Sequence, residues 1–126
     1  IKLILQDKKY IKYIGMCNNI PELLANSNLF ICSSISEAGP ITVYEAMSMR
    51  IPIVTTDVGA SRQIIDNFNS GIIVPIKNSN ELFRAADKIL NDKFLSENLS
   101  NKAFIFSKNF FSLNKIIKKY IEFYND

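Results

Sequence analysis

The 126-residue sequence contains no histidine, only two cysteines, four glycines and four prolines. Each shortage closes off a kind of chemistry. Without His there is no Ser-His or Cys-His nucleophilic arrangement, which leaves carboxylates, Lys, Tyr and backbone dipoles as the available groups. Cys17 and Cys32 are too few for the disulfide framework of a small secreted domain, and without imidazole they cannot complete a four-ligand zinc site unaided. No metal site is therefore expected. Low Gly and Pro content, with 48% hydrophobic and 21% charged residues, excludes a fibre or a disordered tail. Apolar runs such as 51–56 and 71–76 stop far short of the roughly 20 residues that span a bilayer. The start, Ile1-Lys2-Leu3-Ile4-Leu5-Gln6, lacks both the long apolar region and the small-residue cleavage site of a secretory leader, so a cytoplasmic, thiol-reducing location is expected. An initial Ile rather than Met suggests a chain cut from something longer.

The net charge is +3, and the fifteen Lys and Arg are scattered apart from short pairs such as Lys118-Lys119. Nucleic-acid modules instead carry a basic stripe interleaved with aromatics, so no nucleic-acid partner is expected.

Three short apolar, β-branched runs predict buried strands at Leu29–Cys32, Pro52–Thr55 and Ile72–Pro75, each followed by a helix signal. After the first, Pro40 stands at a helix-starting position, with Ile41, Tyr44, Glu45 and Ser48 at helical spacings before Pro52 forces the chain out. After the second, Gly59-Ala60-Ser61 opens a short helix with Ser61 as cap. After the third, Leu82, Ala85, Ala86, Ile89 and Leu90 form one apolar stripe. A fourth strand is expected at Tyr10–Ile14, ending in Gly15, with a short helix around Pro21–Ala25. Past residue 79 the strand signals end and helices are expected at Glu81–Asn91, Lys93–Ser107 and Leu113–Tyr124. Parallel strands need crossover connections, so this alternation predicts an α/β, Rossmann-like parallel sheet flanked by helices, helical at its carboxyl-terminal end. No internal repeat or linker divides residues 1–126, which are expected to form a single domain.

Ligands of open parallel sheets bind beyond the carboxyl ends of the strands. This directs attention to Ser33–Pro40 and Thr56–Ala60. In the first, small residues and one carboxylate precede a helix whose opening N–H groups, near Ile41 and Thr42, suit a phosphate. Glu37 beside an anion is unfavourable unless it accepts hydrogen bonds from a hydroxyl-rich group such as a sugar. Glu45 follows Glu37 with seven residues between and falls about one turn inside the helix, within reach of the same ligand. Ser33, Ser34 and Ser36 read as turn residues, Asp57 as a local cap and Cys32 as a small buried apolar residue. Gly59 reads either as a turn only Gly tolerates or as a close approach to a diphosphate. Phe104, Phe106, Phe110 and Phe111 read as contacts between helices or with another domain ahead of the alternative, a nucleobase platform.

Glu37-Ala38-Gly39-Pro40-Ile41-Thr42-Val43-Tyr44-Glu45-Ala46-Met47, then Pro52-Ile53-Val54-Thr55-Thr56-Asp57-Val58-Gly59, then Gly71-Ile72-Ile73-Val74-Pro75 resembles the carboxyl-terminal domain of retaining glycosyltransferases of the GT-B type, glycosyltransferase family 4 (glycosyl transferases group 1). The resemblance extends through Ile14-Gly15, Pro21-Glu22-Leu23-Leu24 and the final helix to nearly the whole chain. It implies a nucleotide-sugar donor as substrate, Glu37 beside the transferred sugar as the catalytic position, the backbone of Gly39, Pro40, Ile41 and Thr42 on sugar and diphosphate, Glu45 on the ribose hydroxyls and Gly59 in the donor loop. No cofactor or metal is implied. Met49-Arg50 stands where the family usually has a small residue and Gly, and Arg62-Gln63 replaces its frequent Pro-Glu. The family's basic phosphate-binding residues lie further upstream, with no matching segment before Ile1. The chain thus resembles the later part of a donor-binding domain, inactive alone, whose partner is the acceptor domain of the same protein. Any membrane association, at the inner face, would run through that missing part. A non-catalytic nucleotide-sugar module and a structural interaction domain are the alternative functions.

Overall fold

The computed structural model describes residues 9–39 and 41–125. Among these residues nine elements follow in order: α1 (Ile20–Ala25), β1 (Phe30–Cys32), α2 (Ile41–Ser48), β2 (Ile53–Thr56), α3 (Ser61–Ile65), β3 (Ile72–Val74), α4 (Ser79–Asn91), α5 (Lys93–Phe110) and α6 (Leu113–Asn125). The strands form a parallel sheet in chain order, with Phe30 opposite Ile53, Val54 opposite Ile72 and Thr56 opposite Val74. All four residues of β2 are buried, as befits a central parallel strand covered on both faces.

Alternation along β2 divides the core in two. Ile53 packs with Cys32, Val43, Ala46, Met47, Ile64 and Ile65 beneath α2 and α3, while Val54 packs with Val74, Ala85, Ile89 and Leu99 beneath α4. Helix α5, about 27 Å long at 1.5 Å per residue, joins the halves, with Leu99 in the second cluster and Ala103 and Phe106 in the first. Side-chain caps set three helix starts: Asn19 accepts from the Glu22 N–H, Asn78 from Glu81 and Asp92 from Leu95. Ser61 is not a cap. It is the first residue of α3, fully buried, and its hydroxyl has no partner among the described residues.

Residues 10–14 do not form a strand. Tyr10, Ile11, Tyr13 and Ile14 are exposed and pair with nothing in the sheet, which begins at β1. Apolar alternation is only half of a strand; the other half is a neighbour to complete the hydrogen-bond ladder, and no such neighbour stands beside this segment among the described residues.

Helix α2 ends in a Schellman turn: Ile51 N–H donates to Ala46 and Arg50 N–H to Met47, with Arg50 at φ 57°. A non-glycine residue there costs roughly 1–2 kcal/mol, yet the Arg50 guanidinium lies 4.1 Å from the centroid of the Phe104 ring, an exposed cation–π contact worth about 0.5–1 kcal/mol. The two nearly cancel. Arg50→Gly should therefore leave stability within about 1 kcal/mol of the parent, while the same change in a Phe104→Ala background should stabilise by roughly 1 kcal/mol. Urea unfolding of the four proteins of this cycle tests it; an unchanged effect of Arg50→Gly in both backgrounds would remove the contact from the account.

Candidate functional site

The site starts where β1 and β2 end. Thr56, the last residue of β2, is buried and its hydroxyl lies 2.6 Å from the Ser34 carbonyl oxygen and 3.3 Å from that of Cys32. That tether joins the loop leaving β1 to the central strand. Within the loop, the Ser34 hydroxyl donates to Glu37 Oε1 at 2.8 Å, and the Cys32 thiol in turn donates to Ser34 Oγ at 3.6 Å. A buried thiol, a half-buried hydroxyl and an exposed carboxylate thus form one chain of hydrogen bonds that orients Glu37. Ser34 is more than a turn residue, and Cys32 adds a donor role to its place in the core.

Gly59 fixes the same loop from below. Its backbone is left-handed, at φ 49°, and an added Cβ would collide with the Glu37 carbonyl oxygen and come to 2.7 Å from that of Ala38. The reading of Gly59 as a position only Gly tolerates thus has a structural counterpart, and the groups that crowd it are the backbone carbonyls of Glu37 and Ala38. By contrast, a Cβ on Gly39 would meet nothing within 4 Å, so Gly39 leaves open space beside the loop.

Gly39, Ile41 and Thr42 are exposed at the start of α2, and Pro40 lies outside the described residues. On α2, Val43, Ala46 and Met47 face the core, which leaves Ile41 and Glu45, four residues apart, on the opposite face. Glu45 is half-buried, one turn further along α2 than the loop that carries Glu37. Its neighbour Tyr44 packs on Phe111 at 4.3 Å between ring centroids, and burial raises the Tyr44 phenol above its ordinary range. The structure therefore gathers Glu37, Gly39, Ile41, Thr42 and Gly59 at the carboxyl edge of the sheet. Among the described residues no cluster of three carboxylates or cysteines could hold a metal ion.

Asp57 does not cap a helix. Its carboxylate grips Arg62 through two hydrogen bonds, one from Nη2 and one from Nε at 3.2 Å, and Asp66 stands 3.6 Å from Nη1. The hydrogen bond from Arg62 holds the Asp57 carboxyl below its ordinary range. A cavity of about 230 Å³ opens at the same edge, lined by Ser33, Thr56, Lys77, Asn78, Ser79 and Leu82. Sequence reasoning passed over Lys77 to Ser79. What pointed to them is that they follow β3, whose carboxyl end lies on the same edge as those of β1 and β2. A larger cavity, about 530 Å³, lies instead along α1 between Ile14 and Asn26.

Two outcomes follow. Gly59→Ala combines left-handed strain with a collision against a held backbone, so it should destabilise by about 2 kcal/mol or more, read from the urea midpoint; a loss under 0.5 kcal/mol would mean the loop yields freely. Asp57, with a lowered folded pKa, contributes stability above its unfolded pKa and loses it as pH falls through the folded one, below about pH 4. Arg62→Gln should move the Asp57 titration, followed by carboxyl-carbon NMR, back up toward the ordinary value, and an unmoved titration would show that the ion pair does not form in solution.

Comparison with known proteins bears on this geometry. The chain is 26% identical over 122 residues to the UDP-Gal:alpha-D-GlcNAc-diphosphoundecaprenol alpha-1,3-galactosyltransferase of Escherichia coli, covering 94% of this chain and 30% of that protein. It is 31% identical over 93 residues to the N,N'-diacetylbacillosaminyl-diphospho-undecaprenol alpha-1,3-N-acetylgalactosaminyltransferase of Campylobacter jejuni, covering 74% of this chain and 25% of that protein. The chain thus spans under a third of the length of these relatives. Its fold matches the crystallised carboxyl-terminal domain of a glycosyl transferase group 1 protein, LpcC of Francisella tularensis, with TM-score 0.72 at 22% identity over 82% of this chain and 53% of that one. It also matches Anabaena HepE in complex with UDP-glucose, with TM-score 0.88 at 20% identity over 98% of this chain and 34% of that one. The fold is the Rossmann-like one of GT-B carboxyl-terminal domains, and with the profile of glycosyl transferases group 1 matching residues 2–105, the chain belongs to that family.

Proposed function

We propose that this chain is the later part of the donor-binding domain of a retaining glycosyltransferase of family 4, which transfers a hexose-type sugar from a nucleotide sugar to an acceptor in bacterial-type glycan synthesis. The observation that carries the proposal is the placement of Glu37 at the carboxyl edge of a parallel sheet: an exposed carboxylate that accepts from the Ser34 hydroxyl, in a loop whose backbone is tethered by Thr56 and packed against Gly59. A carboxylate fixed in this way is preorganised to accept hydrogen bonds from the hydroxyls of a sugar. The names of the two relatives, galactosyl- and N-acetylgalactosaminyltransferase, support a hexose donor.

In this mechanism the Gly39–Thr42 backbone meets the sugar and the diphosphate at the start of α2, Pro40 having no N–H to give to the phosphate, and Glu45 binds the ribose hydroxyls. The bond from the anomeric carbon to the β-phosphate oxygen breaks, and the acceptor oxygen bonds to that carbon on the same face. Its proton passes to the departing diphosphate. Helix N–H groups and cations stabilise the charge that develops on the leaving group, and no metal is assigned a part. The acceptor substrate is bound by the acceptor domain of the same protein, which closes over the donor and excludes water. On this reading the isolated chain transfers no sugar, and the full protein works on the cytoplasmic side, where the inner membrane face is open to it. Among the described residues no helix is long and apolar enough to cross a membrane.

In the full-length protein Glu37→Ala should abolish transfer with the melting temperature unchanged, because an exposed carboxylate outside the core contributes little to stability. Glu45→Ala should mainly raise the donor KM, since ribose contacts are made alike in ground and transition states. Unchanged kinetics in both variants would overturn the assignment.

A further inference from the structure

The charges at the carboxyl edge do not balance for an anionic ligand. Of the cations on the elements there, Arg62 is held by Asp57 and Asp66, and Arg84, in the first turns of α4, by Glu81 at 3.1 Å. Lys77 is different: it is exposed and enters no ion pair among the described residues. It lines the cavity of about 230 Å³ that bridges the ends of all three strands. The Thr56 hydroxyl in that wall is already given to the Ser34 carbonyl, but those of Ser33 and Ser79 have no partner among the described residues. An ammonium and two uncommitted hydroxyls around an open cavity form a donor set suited to phosphoryl oxygens. The first turn of α4 is already capped by Asn78, so the ammonium and hydroxyls, not the helix end, mark the place.

We infer that the Lys77 cavity seats a phosphoryl group of a ligand bound at this edge, with Lys77 as its charge partner and Ser33 and Ser79 as hydroxyl donors. The inference rests on the nucleotide-sugar reading above and deepens it, adding within this chain a cation for a site whose expected basic residues stand further upstream. The phosphoryl group belongs either to the donor diphosphate or to a phosphorylated acceptor. Both present the same oxygens, and kinetics separates them.

The test uses the full-length protein. Calorimetry with UDP, GDP and ADP identifies the nucleotide, after which Lys77→Ala, Lys77→Arg and Lys77→Gly are compared with the parent. Lys77 sits at φ 57°, so Lys77→Gly removes the charge while relaxing the backbone and controls for misfolding. If the donor supplies the phosphate, the nucleoside diphosphate Kd should rise about tenfold in the Ala and Gly variants. It should return to within about threefold of the parent in the Arg variant, and the loss should shrink as salt is raised. If the acceptor supplies it, that Kd stays constant and the KM for a diphosphate-bearing acceptor rises by a similar factor. Unchanged Kd, acceptor KM and salt dependence in both uncharged variants, with Glu37→Ala still abolishing transfer, would overturn the Lys77 site alone. A parent protein that binds none of the three nucleotides would overturn the nucleotide-sugar reading and this inference with it.

Discussion

The end of β2 governs the geometry of the whole edge. Within four residues the chain places a hydroxyl, on Thr56, against the carbonyls of the β1 loop, and a glycine, Gly59, where the Glu37–Ala38 peptide leaves no room for a side chain. One contact pulls and the other permits. Together they convert an exposed loop, in a class of structure that is usually mobile, into a support for a carboxylate. Glu37 then needs no burial to be oriented, since Ser34 holds one of its oxygens and leaves the other open to a ligand.

Support for that edge comes from the core beneath it. A three-stranded sheet has little area, and two of its strands are only three residues long. The fold compensates by covering both faces and by running α5 across both clusters, so that Leu99 and Phe106, two helical turns apart, stabilise opposite sides of one sheet. Close packing extends to the backbone: a Cβ on Gly71 would come within 2.8 Å of the Ile53 carbonyl oxygen. β3 starts beside this contact, which ties its position to β2. The strand ends on which the loops depend are therefore set by side chains far from the loops.

Much of this was legible in the sequence, and the parts that were not share a cause. β1, β2 and β3 lie within a residue or so of their expected bounds because each is a continuous apolar run between turn residues, but burial on both faces holds along the whole of β2, whereas Ile31 in the middle of β1 is exposed and Ile72 and Ile73 of β3 are half-buried. The helices were legible for a similar reason, a stripe with Asn or Asp ahead of it, as at Asn78 and Asp92. Periodicity reports on burial, however, and not on pairing. Tyr10–Ile14 carries the apolar residues of a strand but has no ladder partner among the described residues, and Asp57 has the side chain of a cap but a stronger partner in Arg62. For the candidate site, the residue types and their order named Glu37 and Glu45 as candidates, and the structure places Glu37 in the loop after β1 and Glu45 one turn into α2. The apposition of Gly59 to Glu37 was not legible, since it joins positions 22 residues apart through a backbone angle.

The two departures from the family's pattern illustrate how a local rule can be broken without loss of the fold. Arg50 occupies a left-handed position that glycine would fill without strain, and the Schellman hydrogen bonds of α2 form around it all the same. The guanidinium stacks on Phe104 of α5, so strain at the helix end is offset by a contact that a glycine could not make, between two helices already packed together. Arg62, where the family often has proline, is likewise held locally, by carboxylates on either side of it in sequence. A cation with two anionic neighbours presents little net field to a ligand, whereas one with none presents nearly all of its charge. Basic residues near the carboxyl edge are therefore not equivalent: the ion pairs hold Arg62 and Arg84 within the chain, whereas Lys77 enters none among the described residues.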